Sequence, residues 1–142
     1  MTTTMRQRIL RANALYLLVA SIGGLLTDIA GAFFARGSES QILAIQPVAA
    51  IGFVEAHGLA LIIGVLLWRA ATLRSWHFAA VAVHVLLGTA NLVFWQIFIV
   101  TDMLALGYIT TSLHWLFVVL QLFAAFLAER VHRVQSNLGL VS

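Results

Sequence analysis

The sequence predicts an all-α membrane protein, a four-transmembrane-helix bundle with up-down-up-down topology. Of its 142 residues, 62% are hydrophobic and only 9% are charged, whereas a soluble domain carries about 25% charged residues. Four apolar segments are each long enough to cross a bilayer, which requires about 20 residues. Short connections separate them, and short connections place successive helices of a bundle antiparallel. We therefore predict a single integral membrane domain over residues 1–142.

Each helix follows from its apolar run and from the residues at its ends. The first run carries arginines at its start, as a signal peptide does, but it is longer than the 7–15 apolar residues of a signal peptide. That length favours a retained helix. Pro47 suits the first turn of the second helix, because its missing N–H costs nothing there. Thr101 and Asp102 form a minimal turn before the fourth. The predicted helices cover residues 9–35, 47–68, 76–100 and 103–128.

The arginines predict the orientation in the membrane. Seven of the eight lie at the N-terminus, in the loop after the second helix or near the C-terminus, and only Arg36 lies on the other side. Because basic residues accumulate in cytoplasmic loops, we predict that both termini are cytoplasmic, in a plasma membrane of bacterial type. Since the arginines flank apolar segments, they do not form the basic patch of a nucleic-acid-binding protein. The absence of cysteine excludes disulfides and thiolate metal sites.

Polar residues recur within the apolar segments at spacings of three, four and seven. They should face the interior of the bundle, because lipid favours apolar side chains. At about 1.5 Å of rise per residue, one set from all four helices falls about 10–17 Å from the non-cytoplasmic side. That set comprises Asp28, Glu55, His57, Asn91, Thr111 and His114. His84 and Gln121 lie about 24–27 Å from that side, which predicts a second polar layer.

Four ionisable residues of the outer set are the predicted catalytic residues: Asp28, Glu55, His57 and His114. A charge at the bilayer centre costs about 2.5–3.5 kcal/mol, so a carboxylate there stays protonated or pairs with a histidine. Either arrangement can exchange protons. Convergent polar groups within apolar walls are typical of small-molecule sites, so we predict that the protein binds or transforms a lipophilic small molecule by carboxylate–imidazole proton transfer. The predicted ligand contacts are Asn91, Thr111, Tyr108, Trp95 and Trp115.

The second helix also carries a small-residue seam, which consists of Gly52, Ala56, Ala60 and Gly64. Such a seam lets another helix approach closely, so the alternative is a non-catalytic accessory or oligomeric subunit that associates through these residues. Glu55 and His57 border the seam about 160° apart, given about 100° per residue. We therefore expect them to face different neighbouring helices, with an acid toward the first helix and His57 toward His114 or Asn91.

A b-type haem electron carrier is a further alternative, with His57 and His114 as the axial ligands. Both lie at estimated depths of about 15–16 Å, on helices that run in the same direction. Two nearby carboxylates and the lack of a deep arginine argue against haem. No close motif such as His-Glu-x-x-His supports another metal site. His77 and Asp102 lie near predicted helix ends, where we expect them to be solvated.

The arrangement resembles the sterol-isomerase and sigma-2 receptor group. The shared features are four helices with both ends cytoplasmic and an acid on each of the first two helices, here Asp28 and Glu55. The resemblance implies a lipophilic ligand. The resemblance assigns no functional residue in this chain.

Overall fold

A computed structural model describes residues 2–137, with side chains for residues 2–46 and 48–126. Within this part of the chain all regular secondary structure is helical. The helices are α1 (Thr3–Phe34), α2 (Ser40–Leu43), α3 (Pro47–Arg69), α4 (Arg74–Val93), α5 (Trp95–Val100) and α6 (Leu104–Asn137). Four of them, α1, α3, α4 and α6, are long and apolar enough to cross a membrane. The predicted all-α class with four membrane helices is confirmed.

The first and last membrane helices, α1 and α6, are longer than predicted. The first begins at Thr3 instead of residue 9, because Thr2 caps it and its hydroxyl accepts a hydrogen bond from the Met5 N–H at 3.3 Å. A capping side chain satisfies N–H groups that the first helical turn leaves free. The last helix likewise continues to Asn137, past the predicted end at residue 128. Apolar composition marks where a helix lies in the membrane, whereas caps and backbone geometry mark where it ends.

The predicted third helix is interrupted at Phe94, so the prediction of one continuous helix over 76–100 is wrong. Phe94 has φ −100° and ψ 28°, and it separates α4 from the short α5. The break allows α5 to pack on the first turn of α6. There a Cβ at Gly107 would lie 2.7 Å from the Phe98 ring, so glycine permits the close approach. Neither glycine nor proline occurs at the break itself, and the sequence therefore carried no local signal of it.

The loop between the first two membrane helices contains α2, a single helical turn. Its Leu43 is buried, and the nearest approach of this side chain to a Cβ built at Gly31 is 3.1 Å. Ser40 lies against the same glycine, at 3.5 Å. The lack of a side chain at Gly31 thus lets α2 pack on the last turns of α1.

The membrane helices pack as two antiparallel pairs, α1 with α3 and α4 with α6. The pairs contact each other chiefly through α1 and α6. A buried apolar core lies near the α3–α4 connection and consists of Leu10, Ala14, Leu17, Leu67 and Ala80. Buried polar side chains lie beside this core, since Asn13 lies between Leu10 and Ala14 along α1 and His77 lies about one turn before Ala80.

Two halves of the small-residue seam have different surroundings. Ala60 and Gly64 are buried against α1, and a Cβ at Gly64 would lie 3.3 Å from the backbone nitrogen of Leu18. Gly52 and Ala56 are exposed. The prediction that all four residues form an intermolecular contact is therefore wrong for Ala60 and Gly64, because the chain's own first helix covers them.

Candidate functional site

Asp28 and His57 form a carboxylate–imidazole pair between α1 and α3. The Nδ1 atom of His57 lies 2.7 Å from Oδ2 of Asp28. The carboxylate is fully buried, whereas the imidazole is 31% exposed. Gly24, one turn before Asp28 on α1, leaves room for the imidazole ring, since a Cβ at Gly24 would overlap it. The pair thus has a buried acid, an oriented imidazole and a ring edge that reaches the protein surface.

Glu39, which precedes α2, brings a second carboxyl group to this pair. Its side chain interacts with Asp28 and with His57. Burial, and then the neighbouring Asp28 carboxylate, raise the pKa of Glu39, and His57 partly opposes the shift. The folded protein therefore favours protonated Glu39, and this contribution to stability is lost as the pH rises through the raised pKa. We call Asp28, Glu39 and His57 the carboxylate–imidazole cluster.

A second group of polar side chains joins α1, α4 and α6 in one chain of hydrogen bonds. Nδ1 of His77 lies 2.6 Å from Oε1 of Gln121, whose Nε2 donates to Oδ1 of Asn13 at 2.7 Å. Nδ2 of Asn13 lies 2.6 Å from Nε2 of His84. Nδ1 of His84 in turn lies 2.8 Å from Nδ1 of His114. All five side chains are buried, and we call them the amide–histidine network.

The two amides set the direction of this network. Because Gln121 offers its oxygen to His77, Nδ1 of His77 carries the proton of that bond. Because Asn13 offers its N–H to His84, Nε2 of His84 accepts and Nδ1 carries the proton shared with His114. Each side chain therefore donates a hydrogen bond to the next one, in the order His77, Gln121, Asn13, His84 and His114. Neutral imidazoles complete the network, with no isolated charge in the interior of the bundle.

Aromatic packing separates this network from the lipid. The Tyr16 ring stacks on His84 with centroids 6.0 Å apart and meets His114 edge-on at 5.5 Å. Phe117 stacks on His84 at 5.2 Å. These rings bury the two imidazoles, so the network has the features of a packed interior.

The predicted ligand contacts lie apart from the carboxylate–imidazole cluster. Nδ2 of Asn91 donates to the hydroxyls of Thr110 and Thr111, each at 3.1 Å. These bonds tie α4 to α6. Trp95 packs on Tyr108 with centroids 4.8 Å apart. Trp115 is 38% exposed and lies beside Gly88.

The structure separates the four predicted catalytic residues into three places. Asp28 and His57 are paired, His114 belongs to the amide–histidine network, and Glu55 is exposed on the surface of α3. The expected partners of His57 were His114 or Asn91, and that expectation is wrong because α1 and α3 pack as a close pair. Glu55 and His57 do point in different directions, although Glu55 is exposed and does not pack on another helix within the described residues.

Three residues were missed or misjudged from the sequence. His77 is fully buried and not solvated, because Gln121 of α6 bonds it. Asn13 lies on the same side of α1 as Ser21 and Asp28 (spacings of eight and seven residues), a signal that could have found it. Glu39 gave no such signal, since a carboxylate in a polar loop is ordinarily solvated.

The haem alternative has no support from this arrangement. His57 pairs with Asp28 and His114 pairs with His84, so the structure does not bring the two proposed axial ligands together. Among the residues that the structure describes, no group of three or more histidines and acids could hold a metal ion.

Comparison with known proteins adds no further constraint on the site. The resemblance to the sterol-isomerase and sigma-2 receptor group rests on the helix count and on two acids, of which Glu55 faces outward. The chain matches no protein-family model, no curated protein and no solved structure.

Proposed function

We propose that the Asp28–His57 pair is an intramembrane acid–base site, which binds or transforms a lipophilic small molecule by proton transfer at Nε2 of His57. The observation that carries this proposal is the pair itself. A fully buried carboxylate holds one nitrogen of an imidazole at 2.7 Å, while the ring is 31% exposed. No other pair of ionisable side chains in the described part of the chain combines burial of the acid with access to the base.

The geometry assigns each group a chemical role. Asp28 engages Nδ1, which leaves Nε2 as the atom that gives or takes a proton, as a base oriented by a third group does. When His57 is protonated, the adjacent carboxylate neutralises it, so the charge pair avoids the cost of an isolated ion at membrane depth. A molecule that dissolves in the lipid can reach the exposed ring edge from the surface of the α1–α3 pair.

Bound-molecule analysis of the purified protein tests this function. Native mass spectrometry and organic extraction should recover a small molecule from the wild-type protein. Asp28→Asn and His57→Ala should retain at least about tenfold less, since one charged hydrogen bond contributes about 1.5–3 kcal/mol. Glu55→Gln is the matched control, because it neutralises a carboxylate on the opposite side of α3 and should retain the wild-type amount. Equal retention by all four proteins would show that the pair is not the site.

The outer part of α3 supports a second proposal, association with another membrane helix. Gly52 and Ala56 are exposed, with no atom within 4 Å of a Cβ built at Gly52, and Glu55 lies between them. An exposed carboxyl group at membrane depth is costly in lipid, and a contact over this surface would remove it from lipid. A second copy of the chain is the simplest partner.

Substitution of Gly52 by leucine should weaken that association. The proposal predicts a wild-type oligomer in native mass spectra and in sedimentation in detergent. The larger side chain would keep the helices apart, so the Gly52→Leu variant should be monomeric. Gly23→Leu is the control, since Gly23 of α1 is also exposed and has no atom within 4 Å of its Cβ position. A wild-type protein that is monomeric in lipid nanodiscs would refute this second proposal.

A further inference from the structure

Glu39 owes its position to the packing of α2. Ser40 and Leu43 lie against Gly31, which is close to one turn beyond Asp28 on α1. Glu39 immediately precedes α2, so this contact directs its carboxyl group toward Asp28. The side chain is neither fully exposed nor fully buried. Glu39 is therefore half-buried beside the interior acid.

Two buried oxygens in this cluster have no hydrogen-bond partner. They are Oδ1 of Asp28 and Oε2 of Glu39. Buried polar atoms are nearly always satisfied by protein groups or water. Two adjacent carboxyl groups do not ionise together readily and tend to share one proton. The pair of unsatisfied oxygens is thus suited to a mobile proton, carried directly or by a water molecule.

Among the side chains that the structure describes, those around Asp28 offer no comparable route toward the other end of the bundle. On the same side of α1, the next buried polar side chain is Ser21, about 10 Å away along the helix. Farther along, the amides of Asn13 and Gln121 hold fixed positions in the amide–histidine network, and amides do not titrate near neutral pH. Protons are therefore expected to reach Asp28 from the end of the bundle that carries α2.

We propose that Glu39 is the proton port of the Asp28–His57 site, which passes protons between water at the α2 end of the bundle and Asp28. This inference rests on the proposed acid–base function. Under this proposal, the Asp28–His57 site takes its protons from the side of the membrane on which α2 lies. The proposal also assigns a role to Glu39, which lies outside the membrane-spanning helices.

The transfer balances as a relay of single protons. Nε2 of His57 gives its proton to a bound base, and Nδ1 takes one from Oδ2 of protonated Asp28. Asp28 is reprotonated at Oδ1 by Glu39, and water reprotonates Glu39. One proton is thus taken from water and one leaves at Nε2. The reverse relay resets the site: Nε2 takes a proton from the bound molecule, Nδ1 returns its proton to Oδ2 of Asp28, and Oδ1 releases one through Glu39 to water.

Exchange of the His57 ring protons with water tests the port. We would label histidine with nitrogen-15, place the protein in lipid nanodiscs, and measure by NMR the rate at which the imidazole N–H exchanges with water. Glu39→Gln should slow exchange by about a hundredfold, the lower end of the usual effect of a positioned acid or base. Asp102→Asn is the matched control, since it neutralises an exposed acid in the turn before α6, and it should exchange at the wild-type rate.

The outcomes separate the port from the site. Wild-type exchange in Glu39→Gln would overturn the port, and the proposed function would stand if Asp28→Asn still loses the bound molecule. If Glu39→Gln also shifts the Nδ1 resonance of His57, the slower exchange could come from a displaced ring. Glu39→Asp then distinguishes the two causes, since it keeps an ionisable group. Recovery of both the resonance and the exchange supports the port, whereas recovery of the resonance alone overturns it. Loss of exchange in Glu39→Gln with no loss of bound molecule in Asp28→Asn would leave a proton port and refute the binding site.

Discussion

Substitution of Gly24 by alanine is expected to break the Asp28–His57 hydrogen bond, whereas substitution of the neighbouring Gly23 is expected to leave it intact. A Cβ at Gly24 would occupy the space of the imidazole, while a Cβ at Gly23 would meet no atom within 4 Å. The ring is the mobile end of a side chain, so it should turn away while the helices stay in place. Asp28 would then be buried without its partner.

The expected cost in the free energy of unfolding is about 1–3 kcal/mol, the usual penalty for an unsatisfied buried polar group. Gly23→Ala should instead be neutral or stabilising by up to about 1 kcal/mol, because alanine favours the helix. Both variants can be unfolded reversibly by denaturing detergent in mixed micelles, and NMR of labelled histidine reports the bond. Equal stability and an unchanged His57 resonance in Gly24→Ala would mean that the ring does not lie against Gly24.

Substitution of Gln121 by alanine should strongly destabilise the protein, because Gln121 makes two hydrogen bonds of the amide–histidine network. Gln121 is fully buried and accepts from His77 while it donates to Asn13. Its loss leaves two buried groups unsatisfied, at about 1–3 kcal/mol each when no water replaces the amide. We expect a loss of about 2–6 kcal/mol in the free energy of unfolding.

Gln96→Ala provides the matched control, because Gln96 of α5 is exposed and should change stability by less than about 0.5 kcal/mol. Gln121→Met separates the hydrogen bonds from the volume, since methionine is similar in size but offers no comparable donor or acceptor. Denaturing-detergent titrations of the three variants measure these differences. If Gln121→Met is as stable as the wild-type protein, Gln121 stabilises the fold by filling space and not by hydrogen bonding.

Residues 94 and 39 illustrate what local sequence cannot reveal. Phe94 ends α4 although it is an ordinary apolar residue in an apolar run, because the break lets Phe98 pack on Gly107 of another helix. Glu39 resembles any solvated loop acid until α2 packs on Gly31. In both cases the deciding contact joins residues from different elements, and no short-range pattern encodes it.

The polar residues show the same division at the level of the site. Their depth follows from helix rise alone, so the presence of Asp28, His57, Asn91, Thr111 and His114 inside the bundle was predictable. Their pairing depends on how each helix is rotated about its axis and on which helix packs against it. The close α1–α3 pair assigns His57 to Asp28, and the α4–α6 pair assigns His84 to His114.

The sequence by itself determined the class of protein, the four membrane helices, and the number of polar groups that must be placed among them. Those features depend on composition and on the periodicity of a single helix. Only the tertiary structure decided that Glu55 faces outward, that Asn13 and His77 are buried, and that Asp28 lies between an imidazole and a second carboxyl group. The physical reason is that lipid penalises any unpaired polar group, and the packing of helices selects which partner satisfies each one.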